Sequence, residues 1–278
     1  MAPPPPNQPL QQRLMQLATT LQFGWFAGHV MLLLCTVMYG FTYLKRNTGG
    51  YVGSGTYRIA FISAAATYGI VVYKAFRARA RQGKPNTPFV IATDENVQYL
   101  GMALVWLFSR QVPLAILPFA VYSVFHVATY TRGNLLPTIQ PAGPTSPGGS
   151  KPKPSGASEA IGRFVKEHYD RSMTIVAFLE IGLWFRLLGS GLLFQKGSWI
   201  LLLVYSAFFR ARYAQSAFVR HAVAIMGQRV DALVANQSTP PAVRSGWESF
   251  KGLAQQVVIA TDVGRYASGA QGAPKKAQ

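Results

Sequence analysis

The sequence predicts an all-α integral membrane protein: helical hairpins supplying three to six membrane segments, some short or re-entrant, followed by C-terminal amphipathic helices. Three observations predict it. Half of the 278 residues are hydrophobic and only 13% are charged, where an ordinary soluble domain carries about a quarter. The charges are one-sided, with 27 Lys+Arg against 9 Asp+Glu and a formal net charge of +18. The apolar residues are also gathered into runs bounded by basic ones, as the positive-inside rule expects of membrane segments and their loops. A wholly disordered chain is excluded, because too much apolar surface would face water. An intrachain disulfide framework is excluded as well, since Cys35 is the single cysteine.

Taken in order, residues 1–20 read as a Pro-rich disordered terminus, with Pro3 to Pro6 favouring a polyproline-like chain. Residues 23–44 hold no formal charge. A run of about 20 residues matches a bilayer core about 30 Å thick. Trp25 and Tyr43 lie near its ends, suiting the interfacial aromatic belts, and Lys45-Arg46 stop it. The run is too long for a signal-peptide core and no Ala-x-Ala site precedes Lys45, so a retained span is expected. The glycines from Gly49 to Gly55 read as a flexible turn. Residues 59–73 form a shorter uncharged run, and the basic cluster Lys74, Arg77, Arg79, Arg81 and Lys84 follows. Residues 97–108 and 114–130 are separated by a turn ending at Pro113. Residues 21–132 are thus the first set of membrane helices.

Residues 133–157 carry a Pro or Gly every few positions and read as a disordered cytosolic loop. Within it Thr145 and Ser146-Pro147 fit a phosphoacceptor pattern that composition alone also produces. Residues 158–209 supply the second membrane set. Its run 175–194 contains Glu180 and Arg186, six apart and so on different helix faces. Intramembrane charges raise a functional hypothesis, but a short segment lying near the headgroups accounts for both. The richer basic loops fall on one side with both termini, which places the N- and C-termini in the cytosol. Lys45, Arg46 and Arg58 in one luminal loop oppose this. Asn236-Gln237-Ser238 fits a glycosylation acceptor, and the orientation predicts that it is unused.

Residues 210–267 form a basic, amphipathic helical tail, and residues 268–278 a disordered end. After Pro240-Pro241, helical steps of about 100° put Val243, Trp247, Phe250, Leu253, Ala254, Val257 and Val258 on one face. Arg244, Glu248, Lys251, Gln255 and Asp262 gather on another. That pattern fits an interfacial membrane binder and equally a helix packed on the rest of the protein. Arg210, Arg212, Arg220 and Arg229 of the tail, with Arg77, Arg79 and Arg81, are candidate contacts to anionic headgroups or an acidic partner.

No catalytic, metal or cofactor signature emerges. His29, His126, His168 and His221 are scattered, and neither a phosphate-binding loop nor a nucleophile elbow is present. His126 reads as a hydrogen-bonded packing residue. No small-molecule substrate and no direct nucleic-acid contact are expected.

The stretch from Arg110 to Arg132 resembles the pore-membrane protein thirty-three family of fungi and its animal counterpart, transmembrane protein thirty-three. Pro113, Pro118 and Ser123 carry the likeness, and above all the run from His126 through Thr129, Tyr130 and Arg132. Tyr205, Arg210, Arg212, Tyr213 and Ser216 match a second motif, and Glu180-Ile181 with Gly189-Ser190-Gly191 a looser one. The resemblance implies a non-enzymatic, multi-pass protein of the endoplasmic reticulum and nuclear envelope. It implies roles in nuclear pore complex assembly and distribution, with nucleoporins, a karyopherin and reticulon-type proteins as partners besides the lipid bilayer. Curved membrane is where shallow hairpins and amphipathic helices act. The alternative is general tubule shaping in the reticulum alongside reticulon-type proteins. A transporter or membrane enzyme would need polar groups converging on a cavity, and Glu180, Arg186 and His126 are too scattered in sequence to suggest one.

Overall fold

The computed structural model describes residues 8–140 and 155–261, and every regular element within them is helical. The helices are α1 (Leu10–Ala18), α2 (Leu21–Leu44), α3 (Tyr51–Arg81), α4 (Pro88–Thr93), α5 (Glu95–Phe108), α6 (Ile116–Tyr130), α7 (Leu136–Ile139), α8 (Gly156–Leu192), α9 (Ser198–Gln215), α10 (Ala217–Val234) and α11 (Pro241–Ala260). Four stretches are long and apolar enough to cross a membrane: Leu21–Leu44, Tyr51–Arg81, Pro113–Ile139 and Gly156–Leu192. The chain is an all-α, multi-pass membrane protein.

Side chains start several of these helices by accepting bonds from otherwise orphaned N–H groups. Thr20 accepts from Phe23 N at the head of α2, and Asp94 from Asn96 N and Val97 N at the head of α5. Ser155 does the same for α8 and Ser216 for α10.

The chain divides into two units at Tyr205–Ser206, inside α9. In the first unit successive helices pack antiparallel. Gly28 of α2 lies against Thr67 of α3 while, nearer the connecting turn, the rings of Tyr39 and Tyr57 meet at 5.3 Å. Tyr68 of α3 stacks on Tyr99 of α5 at 5.3 Å, and Phe125 of α6 meets Phe164 and Tyr169 of α8. At 14 residues, α5 is about 21 Å long, shorter than a bilayer core is thick. The 37 residues of α8 make it far longer than a bilayer core is thick.

Several expectations change. The expected disorder of residues 1–20 does not hold at Leu10–Ala18, where α1 forms; Pro3 to Pro6 lie outside the described residues. The expected glycine turn is shorter, since α3 begins at Tyr51 and takes in Gly53 and Gly55. The run 59–73 is the centre of a 31-residue helix. The expected disorder does not hold at 133–139, because a π turn at Thr131–Leu135 carries α6 into α7. A π turn accommodates the extra residue without ending the helix. Thr145, Ser146 and the end 268–278 fall outside the described residues.

Candidate functional site

At one end of the first unit the 109–112 turn is tied to α2, α3 and the 193–197 turn. The Arg58 guanidinium, reaching from α3, donates to the carbonyls of Trp106 and Leu107 at the C-terminus of α5. A cation there satisfies orphan carbonyls and complements the negative end of the helix dipole. Arg110 donates to Gln195 and to Ser198 Oγ at the α8–α9 turn, while Tyr39 donates to Gln111 at 3.2 Å. Val112 N donates to the buried Tyr57 hydroxyl at 3.1 Å. Gly197 closes the α8–α9 turn at φ +73°, a backbone conformation natural to glycine.

Within the helices lies a buried polar network. Glu180 is 1% exposed. The Tyr99 hydroxyl donates to its carboxylate, and the Tyr205 hydroxyl donates to its main-chain carbonyl at 3.0 Å. Tyr99 has one hydroxyl hydrogen to give, so the Tyr122 hydroxyl, 3.1 Å away, donates to Tyr99. The expected short segment is instead the 37-residue α8, which carries Glu180 inside the bundle, where a carboxylate needs donors. Arg186 is held by its own helix, donating to Ser190 Oγ.

A second cluster joins α2 to α6. His29 Nδ1 is 2.9 Å from Ser123 Oγ, whose hydrogen goes to the Phe119 carbonyl at 2.8 Å. Nδ1 therefore carries the imidazole hydrogen. His126 packs 4.6 Å from the His29 ring and 4.9 Å from Trp25. The hydrogen-bonding histidine is thus His29, and His126 fills the ring cluster beside it. Among the described residues no group of three or more His, Cys, Asp or Glu has a metal-holding arrangement.

In the second unit α11 is held at both ends, by α10 and its turn at one and by α9 at the other. Asp231 Oδ1 accepts from the Trp247 indole N–H at 2.6 Å and from Lys251 Nζ at 2.9 Å. The Trp247 donor, then Lys251, hold the Asp231 carboxyl below its ordinary range. Glu248, then Asp231, push Lys251 upward. Arg244 donates to the Asn236 carbonyl at 2.8 Å, and Arg210 donates to Thr261 Oγ1 and to the Val258 carbonyl, capping α11. Val243, Phe250, Leu253 and Val257 remain about half exposed or more along α11. Ala254 is also exposed, whereas Trp247 and Val258 are half-buried.

The basic candidates separate in turn. Arg212 is buried, which removes it from a surface set. Arg210 and Arg220 cap helix ends, Arg220 donating to the carbonyls of Tyr213 and Ala214. Arg77 reaches Tyr73, and Arg79 reaches Asn86 and the Pro85 carbonyl. Arg77, Arg81 and Arg229 are exposed.

The model of the family described as Transmembrane protein 33/Nucleoporin POM33 matches residues 3–258. The chain belongs to this family. It is 51% identical to "Nucleoporin POM33" of Chaetomium thermophilum over 99% of both chains. It is 32% identical to "Tetra-spanning protein 1" of Schizosaccharomyces pombe over 88% of this chain and 86% of that one. With "Pore membrane protein of 33 kDa" of Saccharomyces cerevisiae the identity is 30% over 89% and 88%. No solved structure matches.

The family-motif residues are mostly architectural in this fold. Tyr130 stacks on Phe26 at 4.5 Å, and the Arg132 guanidinium lies against α8 at Gly162, where a Cβ would approach its central carbon to 2.8 Å. Thr129 is exposed and Tyr213 half-buried. Sequence reasoning missed Arg13, His29 and Tyr99. The signal available was a lone polar side chain in an apolar run for His29 and the single charge of residues 10–18 for Arg13.

Proposed function

We propose that this protein is a non-enzymatic membrane component of the nuclear envelope and endoplasmic reticulum that supports nuclear pore complex assembly and distribution by stabilising curved membrane. The observation that carries the reading is the 51% identity, over 99% of both chains, to a protein named a nucleoporin. The architecture supports the physical part. α5 is shorter than a bilayer core is thick, and α11 presents Val243, Phe250, Leu253 and Val257 to its surroundings. Short inserted helices and amphipathic faces occupy one leaflet more than the other, and such binding depends on curvature. Arg77, Arg81 and Arg229 add attraction to anionic lipid.

An orientation with both termini cytosolic fits this reading. Arg58 and Arg110, the awkward positives of the luminal side, are engaged by main-chain carbonyls and polar side chains. That leaves Lys45, Arg46 and Lys196 against a much richer opposite end. An unglycosylated Asn236 accords with it, and a glycan there would reverse it. Nucleoporins, a karyopherin and reticulon-type proteins are the partners to seek.

The test is to replace Phe250, Leu253 and Val257 by Asp in the sole copy of the full-length protein and to image pore distribution. Pores that redistribute as they do without the protein support the reading. Wild-type spacing with the variant at normal abundance counts against it. General tubule shaping, the second reading, predicts lost tubules with pore spacing unchanged.

A further inference from the structure

We propose that α1 is a second membrane-surface helix, lying in the plane of the bilayer with its Leu10, Leu14, Met15 and Ala18 side seated at the headgroup–acyl boundary. The proposal rests on α2 spanning the bilayer.

Arg13 is the one charged residue in Leu10–Ala18. It points inward, 8% exposed, and its Nη1 donates to the Thr138 carbonyl of α7 at 2.7 Å. That bond fixes how α1 is rotated about its axis. With Arg13 and Leu17 turned in, steps of about 100° bring Leu10, Leu14, Ala18 and Met15 round to the outside, interrupted by Gln11. Leu10, Leu14 and Met15 are 44%, 37% and 62% exposed. With Gln11 and Ala18 they line a shallow groove of wholly apolar surface. Gln12 and Gln16 occupy the remaining exposed side. With its cation withdrawn, this amphipathic helix has no charge on the outward face to resist lipid.

The chain itself identifies the occupant. Only Thr19 and Thr20 separate α1 from the span α2. The joint is hydrogen-bonded, Thr19 N to the Met15 carbonyl and Thr20 Oγ1 to the Leu17 carbonyl at 2.7 Å. The exposed face of α1 therefore ends two residues from where the chain enters hydrocarbon and continues into exposed Leu21 of α2. The surface nearest that face is the bilayer that α2 crosses.

The experiment uses full-length protein, Cys35→Ala, in phosphatidylcholine/phosphatidylserine vesicles. Single cysteines at Gln12, Leu14, Met15, Gln16 and Met31 carry an environment-sensitive fluorophore. Lipids spin-labelled high on the acyl chain should quench positions 14 and 15 several-fold more than 12 and 16, and Arg13→Gln should flatten that contrast. Equal quenching at all four overturns the proposal. Positions 14 and 15 shielded from water yet not quenched, with shielding lost on dilution into excess lipid, would assign the face to a second copy or a protein partner and overturn it too. A contrast unchanged in Arg13→Gln overturns the role of Arg13 in aiming the helix. Met31, half exposed at mid-α2, reports separately: if deep spin labels leave it unquenched, the span itself is wrong.

Discussion

The Tyr99 hydroxyl and the Glu180 carboxylate, 81 residues apart in the chain, form a hydrogen bond in the interior of the first unit. The bond joins α5, which is shorter than a bilayer core is thick, to α8, which is longer. Removing the donor leaves a buried acceptor poorer by one strong bond, at a cost of about 1–3 kcal/mol. Tyr99→Phe should lower the unfolding midpoint in detergent accordingly. Glu180→Gln, which keeps an acceptor, should cost less than Glu180→Leu. Equal midpoints for Tyr99→Phe and the exposed control Tyr43→Phe would show that the network contributes nothing.

At Gly28 α2 packs tightly against α3. A Cβ at this position would stand 2.5 Å from Thr67 Cγ2, well inside contact distance. Gly28→Ala should destabilise by about 1–3 kcal/mol through overpacking. Gly24→Ala, with open space beside it, should be tolerated. Since the obstacle is a single methyl, Thr67→Ser should restore most of the loss in the double variant. A thermal melt of the four proteins decides it.

Arg58 caps α5 from a neighbouring helix. Arg58→Leu leaves the carbonyls of Trp106 and Leu107 without this charged donor, a loss of about 1.5–3 kcal/mol. Lys45→Leu, at an exposed site, should stay within about 0.5 kcal/mol. Hydrogen exchange at the end of α5 should accelerate in the Arg58 variant alone.

The staple between α10 and α11 should respond to acid. Its carboxylate, Asp231, is held below its ordinary range by Trp247 and Lys251. The depressed acid favours the stapled state above the ordinary carboxylate range, and that contribution is lost as pH falls through the lowered value. In fluorotryptophan-labelled protein the Trp247 resonance should hold steady through neutral pH and move only in strong acid. Asp231→Asn should show the moved position at every pH. A resonance that shifts near neutrality would contradict the assignment.

These relationships differ in how far the sequence reveals them. The span α2 is legible because residues 23–44 hold no formal charge, and α11 because its apolar spacing is local. α3 looks shorter than it is because Arg58 and Lys74 interrupt the hydropathy, and the carbonyls that receive Arg58 lie 48 and 49 residues further on. α1 hides behind a run of prolines, and the continuation past Arg132 hides behind Gly133 and Pro137, which usually end helices. Glu180 suggests an interfacial charge until its donor arrives from another helix. The exposed face of α11 follows from periodicity, but the inward turn of Trp247 depends on Asp231 in α10, which no periodicity encodes.

The central claim is attachment to the nuclear pore membrane, and one measurement addresses it most directly. The protein, tagged at its N-terminus and expressed at native level, is imaged in cells whose nuclear pores are gathered into clusters. The account predicts that the signal moves into the clusters with the pores. A signal that stays evenly spread over nuclear rim and reticulum would contradict stable attachment and leave reticulum shaping as the function.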